Sequence, residues 1–173
     1  IDDGLIVSCQ ALEGEPLDVP EILAALAQSA LLGGAVGIRA NRPKNISAIR
    51  KSIGPDIPII GIFKKDYDDS NVYITPTLGD ALEVFKAGAA IIALDATFHS
   101  RPNGENLSEI VKALREKTNA LLMADCARFD EGVAAAKIGF DIISTTLSGY
   151  TPESAHTKEQ NEPDLDLIRR LRI

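Results

Sequence analysis

Short apolar runs rich in valine and isoleucine alternate along the chain with longer segments in which apolar residues recur at helical spacing. This alternation is typical of parallel β/α units. We expect strands at residues 5–8, 35–39, 58–64, 89–95, 120–125 and 141–145. We expect helices at residues 20–32, 43–52, 78–87, 106–117, 129–138 and 163–171. Pro20, Pro43 and Pro163 stand at predicted helix starts, where a missing N–H costs nothing.

A weak internal repeat places a glycine between a helix and the next strand at Gly34, Gly88 and Gly139. Glycine adopts the left-handed conformation that ends a helix at little cost. The spacings are 88 − 34 = 54 and 139 − 88 = 51 residues, and each interval contains two predicted β/α units. Four such intervals make an eight-stranded α/β barrel, a TIM barrel, which needs somewhat more than about 200 residues.

We therefore predict that residues 1–173 belong to a single (β/α)8 barrel domain, with strands seven and eight outside these 173 residues. The length also permits an alternative fold, an open doubly wound sheet of six strands.

The composition of the chain excludes two classes of binding partner, nucleic acids and membranes. The net charge of −7 is spread along the chain without a basic cluster, so we expect no nucleic-acid partner. No apolar run approaches the roughly 20 residues that span a bilayer, and the first ten residues lack the basic region of a signal peptide. We expect no membrane association and a cytoplasmic location.

Cys9 and Cys126 end separate predicted strands, so we expect reduced thiols packed as small hydrophobes.

All six predicted strands have polar side chains at their carboxyl ends. Because barrel enzymes build their active sites at the carboxyl ends of the strands, these positions are candidates for substrate contacts. They are Gln10, Arg39 with Asn41, Lys64 with Lys65, Asp95 with Thr97, Asp125, and Thr145 with Thr146. A ring of charged and amide groups at this end of the barrel is the composition expected of a site that binds a polyhydroxylated anion.

Arg39 has a fixed fork of donors for a phosphate or for sugar hydroxyls, and Asp95 and Asp125 can accept hydrogen bonds from such hydroxyls. Alternatively, Arg39 and one of these aspartates pair with each other across the barrel mouth. His99 and His156 lie in polar loops and lack the spacing of a metal pair, so we expect no metal site.

Lys64 leaves an apolar strand, with Lys65 and Arg39 as charged neighbours. Burial in the barrel wall and these positive charges would lower the pKa of Lys64 toward working pH, so that it could act as a base. The alternative is an ordinary solvated lysine at a strand end.

Several segments together carry a family resemblance. They are GLIVSCQA at 4–11, GGAVGIRAN at 33–41, IGIFKKDY at 60–67, IALDAT at 92–97, MAD at 123–125 and TTLSGYT at 145–151. In this order they resemble the N-acetylmannosamine-6-phosphate 2-epimerase family. The resemblance implies a phosphosugar-binding barrel that needs no cofactor.

The resemblance further implies that Lys64 transfers the proton at C2, and that Gln10, Arg39 and Asp125 hold the open-chain sugar. Asp95 and Thr146 complete the predicted substrate-binding set. Lys65 stands where the family often has arginine, which makes it the weaker candidate for the base. An acidic residue of strand seven and a glycine-rich phosphate grip are expected beyond residue 173.

The implied reaction interconverts N-acetylmannosamine 6-phosphate and N-acetylglucosamine 6-phosphate, in amino-sugar and sialic acid catabolism. Two alternatives stay open: another sugar-phosphate isomerase or aldolase, in which Lys64 forms a Schiff base, and a catalytically silent sugar-phosphate-binding module. A homodimer is expected from general base rates.

Overall fold

The computed structural model of the chain describes residues 4–155 and 163–172. Within them the strands are β1 Ile6–Cys9, β2 Gly37–Asn41, β3 Ile59–Ile62, β4 Ile91–Asp95, β5 Leu121–Asp125 and β6 Ile142–Ser144. The α-helices are α1 Pro20–Leu32, α2 Pro43–Ile53, α3 Leu78–Lys86, α4 Leu107–Lys117, α5 Phe129–Lys137 and α6 Leu165–Leu171. None of the helices in this part of the chain is long and apolar enough to cross a membrane.

Every predicted strand and helix is present, and local chemistry explains where the helices begin. Pro20 and Pro43 are the first residues of α1 and α2, as predicted, because proline at that position gives up no hydrogen bond. The prediction for Pro163 is wrong, since α6 begins two residues later. There the carboxylate of Asp164 caps the helix by accepting from the backbone N–H of Leu167 at 2.9 Å.

The strands are all parallel, and each pairs with the next one along the chain, in the order β1-β2-β3-β4-β5-β6. A doubly wound sheet reverses its order at a switch point, so the alternative of an open sheet is wrong.

The sheet also curls. Arg39 on β2 and Asp125 on β5 form an ion pair at 2.5 Å, although β3 and β4 lie between their strands. In a flat sheet three strand spacings would separate them by about 14 Å. The fold is therefore a partial β/α barrel, as predicted.

Two apolar clusters lie on the two faces of the curled sheet. Ile38, Ile92 and Leu122 belong to the larger cluster, which also contains the buried residues of the helices. Ile60 and Ile91 belong to the smaller cluster, which is made of strand and loop residues. Because side chains alternate along a strand, the first set faces the helices and the second set faces the inside of the curl.

The three repeat glycines have the backbone conformation that the sequence predicts. Gly34, Gly88 and Gly139 have φ values of 98°, 102° and 100°. At these angles a residue with a side chain would be strained, whereas glycine is not. Each glycine ends a helix and turns the chain into the following strand, so this prediction is confirmed.

Both cysteines are free thiols, as predicted. Cys9 and Cys126 are buried in the cluster that faces the helices, with exposures of 4% and 0%. Burial is the main reason that the pKa of each thiol is raised. They therefore pack as small hydrophobic residues.

Candidate active site

Alternation along each strand directs the predicted site residues toward the inside of the curl. The inward cluster contains Ile62 on β3, and Lys64 is the next residue in a step of two. On β4 the same step leads from Ala93 to Asp95. Steps of two residues along the other strands also place the remaining predicted residues on the inward face. These residues are Gln10, Arg39, Asp125 and Thr146. All of them follow inward positions at the carboxyl ends of the strands.

Arg39 and Asp125 form a two-point ion pair across this mouth. Nη1 of Arg39 donates to Oδ1 of Asp125 at 3.3 Å, and Nη2 donates to Oδ2 at 2.5 Å. The side chain of Asp125 is fully buried. Mutual pairing was one of the two roles that the sequence left open, and it is the arrangement that the structure has. A buried pair of this geometry holds the guanidinium in a fixed place.

The amine of Lys64 lies beside this ion pair and is half-buried. Burial lowers the pKa of Lys64, the positive charge of Arg39 lowers it further, and the negative charge of Asp125 acts in the opposite direction. No carboxylate in residues 4–155 or 163–172 forms an ion pair with Lys64. This environment differs from that of a solvated lysine, and it increases the share of neutral amine that can accept a proton.

The neighbouring Lys65 is turned toward other groups. Its amine pairs with Asp80 at 3.2 Å and lies 4.9 Å from the centroid of the Tyr67 ring. Hydrogen bonding to Tyr67, and then to Asp80, raises the pKa of Lys65. The expectation that Lys65 lowers the pKa of Lys64 is wrong, because only burial and Arg39 do so.

Asp95 is tied into the turn that follows β4. Its Oδ1 accepts from the backbone N–H of Thr97 at 2.9 Å and from the Thr97 hydroxyl at 2.7 Å. Burial raises the pKa of Asp95, although the hydrogen bonds from Thr97 oppose this. In the described part of the chain nothing donates to Oδ2, so this oxygen could accept from a sugar hydroxyl. That role stays a prediction.

Gln10 and Thr146 lie at the two edges of the sheet, and none of the described contacts joins them to Lys64. Nε2 of Gln10 donates to the hydroxyl of Ser8 at 2.8 Å, while its Oε1 is buried without a partner among the described residues. An unsatisfied buried acceptor costs about 1–3 kcal/mol, so a ligand that donates to it would be favoured. Thr146 is exposed, and its hydroxyl oxygen lies 2.6 Å from that of Ser144.

A cavity of about 960 Å³ opens beside Lys64. It is lined by Asn41, which was one of the predicted candidates, and by Tyr73, which had no predicted role. Asn41 is buried, and its Oδ1 accepts from the backbone N–H of Lys64 at 2.8 Å. This hydrogen bond joins the end of β2 to the backbone of Lys64. Tyr73 comes from the loop between β3 and α3. The sequence did not indicate Tyr73, because an irregular loop has no periodicity from which the direction of a side chain can be counted.

One of the two histidines, His99, lies in the described part of the chain. Nε2 of His99 lies 3.2 Å from each carboxylate oxygen of Glu153, and His156 lies outside the described residues. Among the residues that the structure describes, no three His, Cys, Asp or Glu side chains come together as a metal-binding group.

A partial β/α barrel with a lysine and a buried ion pair at the carboxyl ends of its strands defines the class of barrel proteins whose active site lies at that mouth. A family model described as "Putative N-acetylmannosamine-6-phosphate epimerase" matches residues 23–173. The chain belongs to this family.

Individual relatives support the same family assignment. Proteins named "Putative N-acetylmannosamine-6-phosphate 2-epimerase" from Caldanaerobacter subterraneus subsp. tengcongensis and Listeria monocytogenes are 49% and 52% identical over 172 and 157 residues. These matches cover 99% and 90% of this chain, but 70% and 65% of the relatives. The solved N-acetylmannosamine-6-phosphate 2-epimerase from Clostridium perfringens matches with a TM-score of 0.90 and 47% identity, over 97% of this chain and 71% of that one. The chain thus spans about two thirds of the length of the relatives it matches.

Proposed function

We propose that this protein is a cofactor-independent 2-epimerase that interconverts N-acetylmannosamine 6-phosphate and N-acetylglucosamine 6-phosphate. In the open-chain aldehyde, the hydrogen on C2 lies next to the carbonyl group. Lys64 takes this proton as a neutral amine, and the electron pair of the C2–H bond moves into a C1–C2 double bond with negative charge on O1. Return of a proton to the opposite face of C2 inverts the centre.

The observation that carries this proposal is the environment of Lys64. Its amine is half-buried, it has a lowered pKa, and it faces the Arg39–Asp125 pair in a member of this family. A general base works best when its pKa lies near the operating pH, and burial moves a lysine in that direction. The guanidinium of Arg39 supplies fixed positive charge near the developing enolate.

A second function deserves a test because the same observation supports it. A neutral lysine amine is also the nucleophile of a Schiff-base aldolase. Borohydride reduces such an imine to a stable covalent adduct, whereas an epimerase that uses Lys64 only as a base forms no adduct. Mass spectrometry of the protein after treatment with N-acetylmannosamine 6-phosphate and borohydride separates the two mechanisms.

Proton NMR in deuterium oxide tests the proposed reaction. The intact protein should convert N-acetylmannosamine 6-phosphate to N-acetylglucosamine 6-phosphate with deuterium at C2. Lys64→Ala should slow this conversion by about 10²–10⁴-fold, the usual contribution of a general base. Lys65→Ala is the matched control, since the amine of Lys65 pairs with Asp80, and it should keep the exchange. An intact protein that binds the sugar phosphate without exchange would favour a silent binding module.

We propose that residues 1–173 belong to a single barrel domain, that Gln10, Asp95 and Thr146 contact the substrate, and that the protein acts as a cytoplasmic homodimer in amino-sugar and sialic acid catabolism. The buried, unpaired Oε1 of Gln10 is the feature that supports a ligand contact there. Sedimentation equilibrium of the intact protein measures the oligomeric state directly.

A further inference from the structure

Tyr73 lies in a segment that several contacts hold against the end of β3. The carbonyl of Tyr73 accepts from the backbone N–H of Lys65 at 3.0 Å, and the next residue, Ile74, pairs with Lys64 as an antiparallel bridge. The hydroxyl of Thr75 donates to the carbonyl of Ala93 on β4 at 2.7 Å. These contacts join the loop to two strands of the barrel, so the position of Tyr73 is fixed.

Thr75 shows that this segment is under strain. It is a β-branched residue with φ of 49°, which such residues rarely adopt, and it is fully buried. Its N–H donates to the carbonyl of Phe63 at 2.8 Å, and the N–H of Phe63 donates to its hydroxyl at 3.1 Å. Strained backbone persists only where the surroundings over-determine it, and it is concentrated at functional sites.

The phenol of Tyr73 faces the candidate active site. The residue packs against the inward apolar cluster and lines the same cavity as Lys64. Burial is the main cause that raises the pKa of Tyr73. The negative charges of Asp95 and Asp125 raise it further and the positive charge of Arg39 lowers it, so these three site residues lie close enough to act on the phenol. The hydroxyl therefore stays protonated and can donate. No group in residues 4–155 or 163–172 accepts a hydrogen bond from it.

Apart from Lys64, the charged donors around this cavity are already engaged in ion pairs. Arg42 pairs with Asp18 at 2.9 Å, and Lys44 pairs with the same carboxylate at 3.4 Å. Lys65 pairs with Asp80. Tyr73 is the one hydroxyl-bearing side chain among the described residues that line the cavity. An enolate formed when Lys64 removes a proton would need a fixed donor in this space.

We propose that Tyr73 is a further catalytic residue, whose phenol donates a hydrogen bond to the substrate oxygen that becomes negative when Lys64 removes the C2 proton. This inference rests on the proposed function. The donor is preorganised, because the loop that carries it is fixed before the substrate arrives. It acts on charge that exists only after the C2–H bond begins to break, so it stabilises the transition state more than the bound substrate.

Steady-state kinetics of the intact protein with N-acetylmannosamine 6-phosphate test the assignment. Tyr73→Phe should lower kcat by about 10²–10³-fold, the usual cost of removing one donor from an oxyanion site, and should change KM little. Tyr67→Phe is the matched control. It removes a phenol from the same loop, one that donates to Asp80 at 3.0 Å, and should leave kcat close to that of the wild type.

Each other outcome is decisive. A kcat for Tyr73→Phe equal to that of Tyr67→Phe, or a raised KM with unchanged kcat, would overturn the assignment and leave the epimerase proposal standing. A Tyr73→Phe protein that fails to fold would also overturn it, because the phenol oxygen would then carry a structural contact. A wild-type protein that leaves the substrate unchanged overturns the proposed function and this assignment together.

Discussion

At the scale of single residues, the charge state of Lys64 depends on two neighbours that act in opposite directions. Arg39 lowers the pKa of Lys64 and Asp125 raises it, although the two neighbours are bound to each other. Burial is the largest cause of the lowered pKa of Lys64, and the ion pair modifies the resulting share of neutral amine as well as holding the guanidinium in place. Replacing one partner removes its own effect and also leaves the charge of the other uncompensated.

Arg39→Gln and Asp125→Asn should consequently shift the pH profile in opposite directions. The proposed mechanism requires the neutral amine of Lys64, so kcat/KM should rise as the pH increases through the pKa of this lysine. Removing the positive charge in Arg39→Gln raises this pKa and moves the acidic limb to higher pH. Removing the negative charge in Asp125→Asn lowers the pKa and moves the limb to lower pH.

The measurement is kcat/KM against pH for both variants and for Lys65→Gln. Lys65 is not among the causes of the shift at Lys64, so its variant should leave the limb in place. Limbs that move in the same direction for Arg39→Gln and Asp125→Asn would contradict this account of the lysine.

The residues at the strand ends could be predicted because the active sites of barrel enzymes lie at the carboxyl ends of the strands, and apolar runs show where those ends are. Lys64, Arg39 and Asp125 were predicted because they lie at the carboxyl ends of apolar runs, and the structure shows that they are also the residues whose alternation directs them inward. Tyr73 could not be found in this way, since its position depends on the antiparallel bridge between Lys64 and Ile74 and on the contacts of Thr75. Such contacts join residues whose spacing in the sequence follows no period.

At the scale of secondary-structure elements, β3 packs unusually close to the helices beside it. A Cβ atom built on Gly61 would lie 2.5 Å from Val84 on α3, 2.6 Å from Ala89 and 3.1 Å from Ile46 on α2. Real Cβ atoms essentially never lie within 3.0 Å of another atom, so the approaches to Val84 and Ala89 would force a shift, and the approach to Ile46 would be tight. The glycine therefore permits the contact between the strand that leads to Lys64 and its two neighbouring helices.

Gly61→Ala should destabilise the fold by about 1–3 kcal/mol, the usual cost of overpacking a core. Gly79→Ala is the contrasting control, because a Cβ there would meet nothing closer than the Thr77 hydroxyl at 3.6 Å. It lies in the first turn of α3, where alanine should stabilise by up to about 1 kcal/mol. Urea unfolding of the intact protein measures both changes, and equal effects at the two positions would refute the close approach at Gly61.

The boundaries of the elements were predictable where one residue decides them. Pro20 and Pro43 mark helix starts because the ring sets φ and removes an N–H that has no partner there. At α6 a proline and a capping aspartate stand side by side, and the cap at Asp164 determines the start. A proline before a helix and a proline within its first turn look alike in the sequence.

At the scale of the whole molecule, the order of the strands separates a barrel from an open sheet. Local patterns predict strands and helices but not which strands become neighbours, so the doubly wound alternative stayed open until the strand order was known. The two faces of the curled sheet differ in composition. The face toward the helices carries the larger apolar cluster, and the inner face combines a smaller cluster with the polar strand ends.

Two isoleucines of one strand test this division of roles. Ile59 and Ile62 on β3 are both fully buried, Ile59 in the cluster that faces the helices and Ile62 in the inward cluster, two residues before Lys64. Replacement of either by valine removes one methylene and should cost about 0.5–1.5 kcal/mol of unfolding free energy. Only Ile62→Val should also lower kcat, because it loosens the layer that supports the lysine. A displacement of about 1 Å near a reacting group costs roughly 100-fold in rate, so even a partial shift is measurable. Urea unfolding and kcat for the two variants give the comparison, and equal losses of kcat would mean that the inner cluster contributes only stability.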